Sequence, residues 1–407
     1  MFLTFQYGLQ PTRAQYRVLE RILEGQRLLY NAALQERIEA WKKQAKSISG
    51  HDQRKSLTEI RGDDPNGYGA LPANLSRWTL AKIEQAFSGF FKRVKVNKKK
   101  AGFPRFRSIS RWNSFGFVEW SGIRLDGDTL DFKGLTGGLK VHLHRDLPFG
   151  ATIKSCVFTK RDRHWVVSLQ IEVPEVATVH RGAGNAIGLD WGVETFATLS
   201  NGDRIENPRL GTDAAAAVRI AARKLSRAKR GSRRRLRTKA HLARLQRRLV
   251  NRRRTHLHQV SAGLTKRFGY IAVEDLQIIN MTASAKGTVE QPGTNVRQKA
   301  GLNREILDTS PSTLMAMLRY KAEKAGSVFV AVDAKNTSQE CSGCGAKLQN
   351  DLSVRIHSCS HCNLEIHRDL NAARNILIRA VVGPWSGRVE LPNDLAGDRR
   401  FVNLKAA

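Results

Sequence analysis

AIGLDWGVETFATLSNGD, residues 186–203, reads as two apolar strands around a glycine-containing turn, with Asp190 ending the strand AIGLD. Short apolar runs bounded by Gly, Asn and Asp are the mark of buried strands. Downstream, YIAVEDL (270–276) is a strand carrying Glu274, and SVFVAVDA (327–334) is another. DLNAARNILIRA (369–380) begins a helix on Asp369. Strands separated by helical stretches predict an α/β sheet. Carboxylates at strand ends and helix starts converge on a crevice at one edge of such a sheet.

Three carboxylates gathered there repel one another unless divalent cations hold them. Magnesium prefers hard oxygen ligands, and two ions about 4 Å apart suit in-line phosphodiester cleavage. Each acid also has an ordinary reading, Asp369 as a helix cap and Glu274 as a solvated strand end. Glu194 and Asp275 lie close by in sequence, so position alone does not select the ligands.

Between the third strand and the last helix stand four of the five cysteines. Cys341-x2-Cys344 and Cys359-x2-Cys362 are separated by 14 residues, the spacing of a zinc ribbon with two knuckles of paired thiolates. Four protein ligands leave no open coordination position, so one structural zinc is expected. His357, His361 and His367 are expected at the surface, because the thiolates already complete the set. Clustered thiols of this kind point to metal rather than disulfides in a reducing compartment.

The chain has 407 residues with 69 Lys and Arg against 36 Asp and Glu, a net charge of +33. That excess repels itself unless a polyanion neutralises it, and nucleic acid is the obvious partner. No apolar run approaches the roughly 18 residues of a membrane span, and there is no lipidation signal. Met1–Arg13 lacks the charged start and long apolar stretch of a signal peptide, so a cytoplasmic protein, nucleoid-associated when on DNA, is expected. Residues 214–273 contain no acid, and the basic runs RKLSRAKRGSRRRLR and RRLVNRRR lie within them. Arg233, Arg234, Arg235, Arg252, Arg253 and Arg254 are the candidate phosphate contacts; a solvated basic helix is the alternative.

Toward the N-terminus, MFLTFQYGLQ reads as a strand, and Leu19, Ile22, Leu23, Leu29, Tyr30, Ala33, Leu34 and Ile38 keep a helical period. Ser47–Pro72 is polar, with Gly, Asp, Asn and Pro, and reads as a loop. A second helix is expected over Leu75–Val94, followed by the basic break Lys95–Lys100. From Gly102 to Val179 short alternating runs separated by Gly and Pro predict small antiparallel β structure. The N-terminal strand would complete it, making residues 11–100 a helical insertion.

With these motifs in order, the chain resembles the TnpB (OrfB) family of transposon-encoded proteins related to compact type V CRISPR effectors. The resemblance spans about residues 8–380. Its most specific parts are GLDWGVETFATLSNG, AVEDL, and TSQECSGCG through HRDLNAARNI (337–376); LQPTRAQ, LLYNAAL, FSGFFKRVK, GFPRF and LNREILD are weaker. It implies an RNase H-like (RuvC) nuclease core with an inserted zinc ribbon, plus a β-barrel wedge domain carrying a helical recognition lobe. The corresponding bounds are 1–10 and 101–180 for the wedge, 11–100 for the lobe, 181–335 and 369–382 for the nuclease, 336–368 for the ribbon and 383–407 for a tail. It also implies Asp190, Glu274 and Asp369 as the magnesium triad, a guide RNA, and cleavage of double-stranded DNA beside a short motif read near Ser76, Arg77 and Trp78. Two positions depart from the family pattern: His367 stands where many members have Asp, and Asn363 where Gly is common.

Other functions fit parts of this pattern. A nuclease-silent RNA-guided repressor would be expected to lose a triad acid, and all three are present. A structural zinc-ribbon protein needs no such triad, whereas a DNA-joining transposase or a small CRISPR effector would share it.

Overall fold

The alternation in MFLTFQYGLQ places Phe5, Tyr7 and Leu9 on one face of β1 (Phe2–Gln10), and in the computed structural model that face is buried. The structure describes residues 2–96, 101–162, 164–174, 184–348 and 354–382. The lysines at 98–100, residues 175–183 and the tail 383–407 lie outside the described residues. By internal contacts the chain forms two units, Met1–Val176 and Ala177–Ala407.

In the first unit Thr12 caps α1 (Arg13–Gln44) through a reciprocal capping box with Gln15. The helix buries Leu19, Ile22, Leu23, Leu29, Tyr30, Ala33 and Leu34, the apolar stripe expected of it. The expected loop at 47–72 instead contains a helix, α2 (Gly50–Asp63). Ser49 and Asp52 form its capping box, and Gln53 and Leu57 are its buried contacts. Its glycines fall near the two ends, where they cost a helix least. After α3 (Ala73–Val96) come six strands: β2 (Ser114–Phe117), β3 (Ile123–Asp126), β4 (Thr129–Phe132), β5 (Leu139–His142), β6 (Thr152–Arg161) and β7 (His164–Glu172).

Strand β1 pairs antiparallel with both β5 and β7, so α1–α3 are an excursion from a sheet ordered β2-β6-β7-β1-β5-β4-β3. No ladder joins β2 to β3 among the described residues. The two ends of the sheet nevertheless meet through aromatic side chains: Phe132 of β4 lies 5.4 Å from Phe117 of β2 and 5.7 Å from Phe158 of β6, ring to ring. Cys156, the cysteine outside the cluster, is buried in this core, and burial raises its thiol pKa, which makes it inert.

The second unit opens with β8 (Ala186–Trp191), β9 (Thr195–Leu199) and β10 (Arg204–Glu206). The acid-free stretch then forms α4 (Leu210–Arg227) and α5 (Arg233–Arg267), broken by a turn with Gly231 at φ 81°. Next are β11 (Tyr270–Glu274), α6 (Ile278–Met281), α7 (Val296–Thr309), α8 (Pro311–Ala325) and β12 (Val328–Val332). The hairpin β13 (Ile356–Ser358) and β14 (Glu365–His367) leads into α9 (Arg368–Val382). The sheet order is β10-β9-β8-β11-β12, with β8, β11 and β12 parallel and β9 and β10 antiparallel. Among the described residues no helix is long and apolar enough to cross a membrane.

Helices cover both faces of this sheet. Ile187, Leu189, Ile271 and Val273 pack with Leu257 and Leu264 of α5 and with Leu314, Met317 and Leu318 of α8. Ala186, Tyr270 and Ala272 pack with Ile376 and Leu377 of α9. Helix α9 comes so close to β8 that a Cβ on Gly188 would stand 2.1 Å from the Ala373 carbonyl oxygen and 2.9 Å from Leu377 Cβ. Gly188→Ala should therefore force the helix off the strand and destabilise this unit by about 1–3 kcal/mol or more. Thermal or urea unfolding measures it, and a melting temperature equal to wild type contradicts the close approach.

Candidate functional site

Alternation along two neighbouring strands sets the site. With Ile187, Leu189 and Trp191 in the α5–α8 core, Gly188 and Asp190 fall on the α9 side of β8; by the same period Glu274 follows Ala272 on that side of β11. The parallel register pairs Leu189 with Val273, so the two acids come next at one level. Asp369 is the second residue of α9. All three line one cavity of about 750 Å³, together with Arg209, Arg355 and Arg368.

The electrostatics of this cavity are strained. Burial, then the Glu274 and Asp369 charges, push the Asp190 pKa well above the usual carboxylate range, with Arg368 opposing. Burial also raises Glu274, against a hydrogen bond from Thr337 and the charge of Arg379. Three hard oxygen donors whose repulsion a cation would relieve are a donor set that fits magnesium. Asp369 is fixed by its cap: its backbone N–H donates to His367 Nδ1 at 3.2 Å. His367 thus supplies the acceptor for a free N–H in the first turn of α9.

The four cysteines form a tighter group. Their sulfurs all lie within 4.8 Å of one another, with Cys341–Cys362 at 3.5 Å and Cys344–Cys359 at 3.6 Å. A tetrahedron with Zn–S bonds of about 2.3 Å has edges of about 3.8 Å, so this tetrad fits zinc. Both knuckles turn the same way: Gly345 N–H donates to Cys341 O at φ 79°, and Asn363 N–H to Cys359 O at φ 56°. Asn tolerates this left-handed conformation better than other non-glycine residues, so Asn363 can take in the second knuckle the place that Gly345 has in the first. The protons divide unevenly. Burial pushes Cys341 up to about 12, while Cys359 falls to about 6, its burial outweighed by backbone donors from His361 and Cys362 and by the neighbouring thiols. His357, expected at the surface, is fully buried in β13, because the hairpin turns it inward; His361 is exposed as expected.

The basic candidates divide. Arg233, Arg234, Arg252 and Arg254 are exposed. Arg235 instead donates to Leu225 O and Ala228 O, closing the end of α4. Arg253 donates to Asp308, which also accepts from Gly211 N–H, so it ties α5 to α4 and α7. In the first unit Arg77 lies 3.5 Å from Glu119, Ser76 is buried, and Trp78 packs against Gly116 and Trp112.

Several residues of the site were not singled out from sequence. Asn371, Asn375 and Arg379 are spaced by four along α9 and hold residues 333–342, the approach to the first knuckle. Asn371 Nδ2 donates to Glu340 O at 2.7 Å, Asn375 Nδ2 to Thr337 O at 2.9 Å, and Arg379 Nη1 to Lys335 O at 2.6 Å. The readable signal was a polar stripe on an otherwise apolar helix. Thr337 Oγ1 donates to Glu274 Oε1 at 2.5 Å, a long-range contact with no local signature.

Comparison with known proteins places these features. A family model described as "Probable transposase" (OrfB of the IS605 type) matches residues 168–285, and one described as "Cas12f1-like, TNB domain" matches 312–376. A third, described as a helix-turn-helix domain, matches residues 1–46, which here form β1 and the single helix α1. A protein of Escherichia coli (strain K12) named "Putative RNA-guided DNA endonuclease InsQ" is 31% identical over 92% of this chain and 91% of its own length. A "Putative RNA-guided DNA endonuclease" of Streptomyces pristinaespiralis is 29% identical over 94% and 90%. The protein in a solved Cas12f1–sgRNA–target DNA complex shares the fold, with TM-score 0.55 and 14% identity over 90% of this chain and 83% of that one.

Two measurements probe the site. The raised Asp190 pKa means the metal-free folded state holds this proton more tightly than the unfolded chain, so its ionisation lowers stability as pH rises from the ordinary 3.8 through the folded value. Asp190→Asn should therefore melt a few degrees higher than wild type at neutral pH without divalent cations, and the gap should close as pH falls toward 3.8; a gap that widens on acidification refutes the assignment. Cys341→Ser should carry far less than about one zinc per chain after dialysis and melt lower. Undiminished zinc content excludes Cys341 as a ligand.

Proposed function

This chain belongs to the TnpB (OrfB) family, and on that premise we propose that it is an RNA-guided DNA endonuclease whose reaction centre is the cavity lined by Asp190, Glu274 and Asp369. The observation that carries this reading is that acids from β8, β11 and α9, far apart in sequence, face one cavity with three arginines at its walls. The relatives named as RNA-guided DNA endonucleases run nearly the whole length of the chain and favour cutting over the transposase description of the family model.

The strand order, three parallel strands flanked by an antiparallel pair, supports an RNase H-like (RuvC) core over 181–335 and 369–382. By the same reading residues 336–368 are its zinc ribbon, 1–10 and 101–180 the wedge domain, and 11–100 the recognition lobe. Asp190, Glu274 and Asp369 would hold two magnesium ions, and Cys341, Cys344, Cys359 and Cys362 one zinc. Bound magnesium supplies an activated water and stabilises the leaving oxygen.

The chain's own residues do the rest. Arg209 would present its guanidinium to the strand phosphates, Arg368, 3.7 Å from Asp369, offsets the charge of the acids, and Arg355, held at 2.5 Å by Glu194, keeps its fork at the rim. The exposed Arg233, Arg234, Arg252 and Arg254 would follow the backbone of the guide RNA and its duplex with DNA, a shape read through charge rather than base edges. Arg235 and Arg253 hold that basic helix in place. Arg77, exposed beside Glu119, is the proposed contact to the motif flanking the double-stranded target.

Asp190→Ala should abolish magnesium-dependent cleavage of an RNA-matched duplex while leaving RNA-dependent DNA binding nearly unchanged. Cleavage of plasmid DNA and gel-shift titration of the same preparation measure both, and a mutant that cuts like wild type refutes the reading.

A further inference from the structure

We propose that Thr337 is a positioning residue for this reaction centre, and that through it the zinc-binding knuckle fixes the orientation of Glu274. The inference rests on the nuclease reading and deepens it.

Thr337 is buried and its hydroxyl has two acceptors in reach, Glu274 Oε1 at 2.5 Å and Ala334 O at 3.1 Å. A hydroxyl has one proton to give, and an ionised carboxylate is the stronger acceptor. One oxygen of Glu274 is thereby held, leaving the other free to face the cavity. The Thr337 backbone is in turn immobilised. Its carbonyl accepts from Asn375 Nδ2 at 2.9 Å, and the same amide reaches Glu340 O at 2.6 Å. Asn371 gives a second hydrogen bond to Glu340 O and accepts one from Ser342 N–H at 2.8 Å. Both asparagines are buried, on the helix that begins with Asp369.

Residues 337–342 are therefore clamped along their length by one face of α9. Their first side chain holds Glu274, and Cys341, next to Ser342, belongs to the thiolate tetrad. A loose knuckle would release Ser342 and Glu340, and with them the turn that aims Thr337. Partners that orient a metal-binding carboxylate typically change cation affinity by about 10–100-fold when removed. On this proposal the first knuckle and the Glu274 carboxylate share one chain of hydrogen bonds through Thr337, Asn375 and Asn371.

The test uses the full chain with its guide RNA and compares Thr337→Val with Thr337→Ser. Two readouts are taken: magnesium dependence of cleavage, and the magnesium-induced rise in melting temperature of the protein–RNA complex without DNA. Thr337→Val should need about 10-fold more magnesium in both, with zinc content and DNA binding unaltered, and Thr337→Ser should restore wild-type dependence. Wild-type dependence in Thr337→Val, or equal impairment in Thr337→Ser, overturns the inference. Should Thr337→Val fail to fold, Thr337→Ala removes the donor without added bulk and carries the same two outcomes. Glu274→Gln separates the two levels. If it still cleaves, the nuclease reading fails; if it is inactive while Thr337→Val behaves as wild type, only the positioning role fails.

Discussion

The second unit depends on one close approach, α9 lying against Gly188 with no room for a side chain. Gly188 precedes Asp190 by two residues on the same face of β8, so the contact that seats the helix also sets how near Asp369 comes to Asp190. Tyr270 strengthens the seat from the neighbouring strand, its hydroxyl donating to Ala380 O at 2.9 Å. The same helix reaches outward with Asn371, Asn375 and Arg379 to hold the chain that touches Glu274. One element thus controls all three carboxylates: one by carrying it, one by contact with its strand, and one through Thr337. Sequence distance is irrelevant to such a site; what matters is that a single rigid body defines it.

That arrangement opposes stability. Burial, and then the like charges beside it, raise the Asp190 pKa, and without cations the fold bears that cost. The supporting interactions are placed accordingly. Gly188, Asn371 and Asn375 are buried or tightly enclosed, and the polar groups among them are paired with backbone. Buried amides satisfied by specific carbonyls are costly to rearrange, so the framework stays fixed while the acids remain uncomfortable. A cation held there, as proposed, would relieve that repulsion.

How far the sequence discloses this differs by feature, for physical reasons. Strands β8 and β11 are readable because buried parallel strands are short continuous apolar runs, and their acids stand out near the ends; β12 is an apolar run as well, although it lies largely exposed at the sheet edge. The thiolate tetrad was readable because its spacing is local. The helix α2 was hidden by composition, since its many polar residues resemble a loop while its signal was only the Ser49–Asp52 pair and buried Leu57. His357 was misplaced because the inward turn of a three-residue strand depends on the register of β13 with β14. Thr337 was invisible for a stronger reason: its partner is 63 residues away, and no periodicity encodes such a contact.

The arginines show the same limit from the other side. Composition identifies the acid-free stretch as a basic surface, and density alone treats its members as equivalent. Geometry does not. Arg235 completes the unsatisfied carbonyls at the end of α4, and Arg253 joins an acid that also accepts a backbone N–H from Gly211. A guanidinium spent on fixed carbonyls or a half-buried carboxylate is expensive to redirect toward phosphate, because its old partners would be left unpaired. The exposed Arg233, Arg234 and Arg254 bear no comparable penalty, and Arg252 gives up only a 3.9 Å surface ion pair with Asp213. On the proposed reading this basic helix carries both kinds of arginine, some that anchor it and others that would meet a polyanion, and the pairing of each side chain tells them apart.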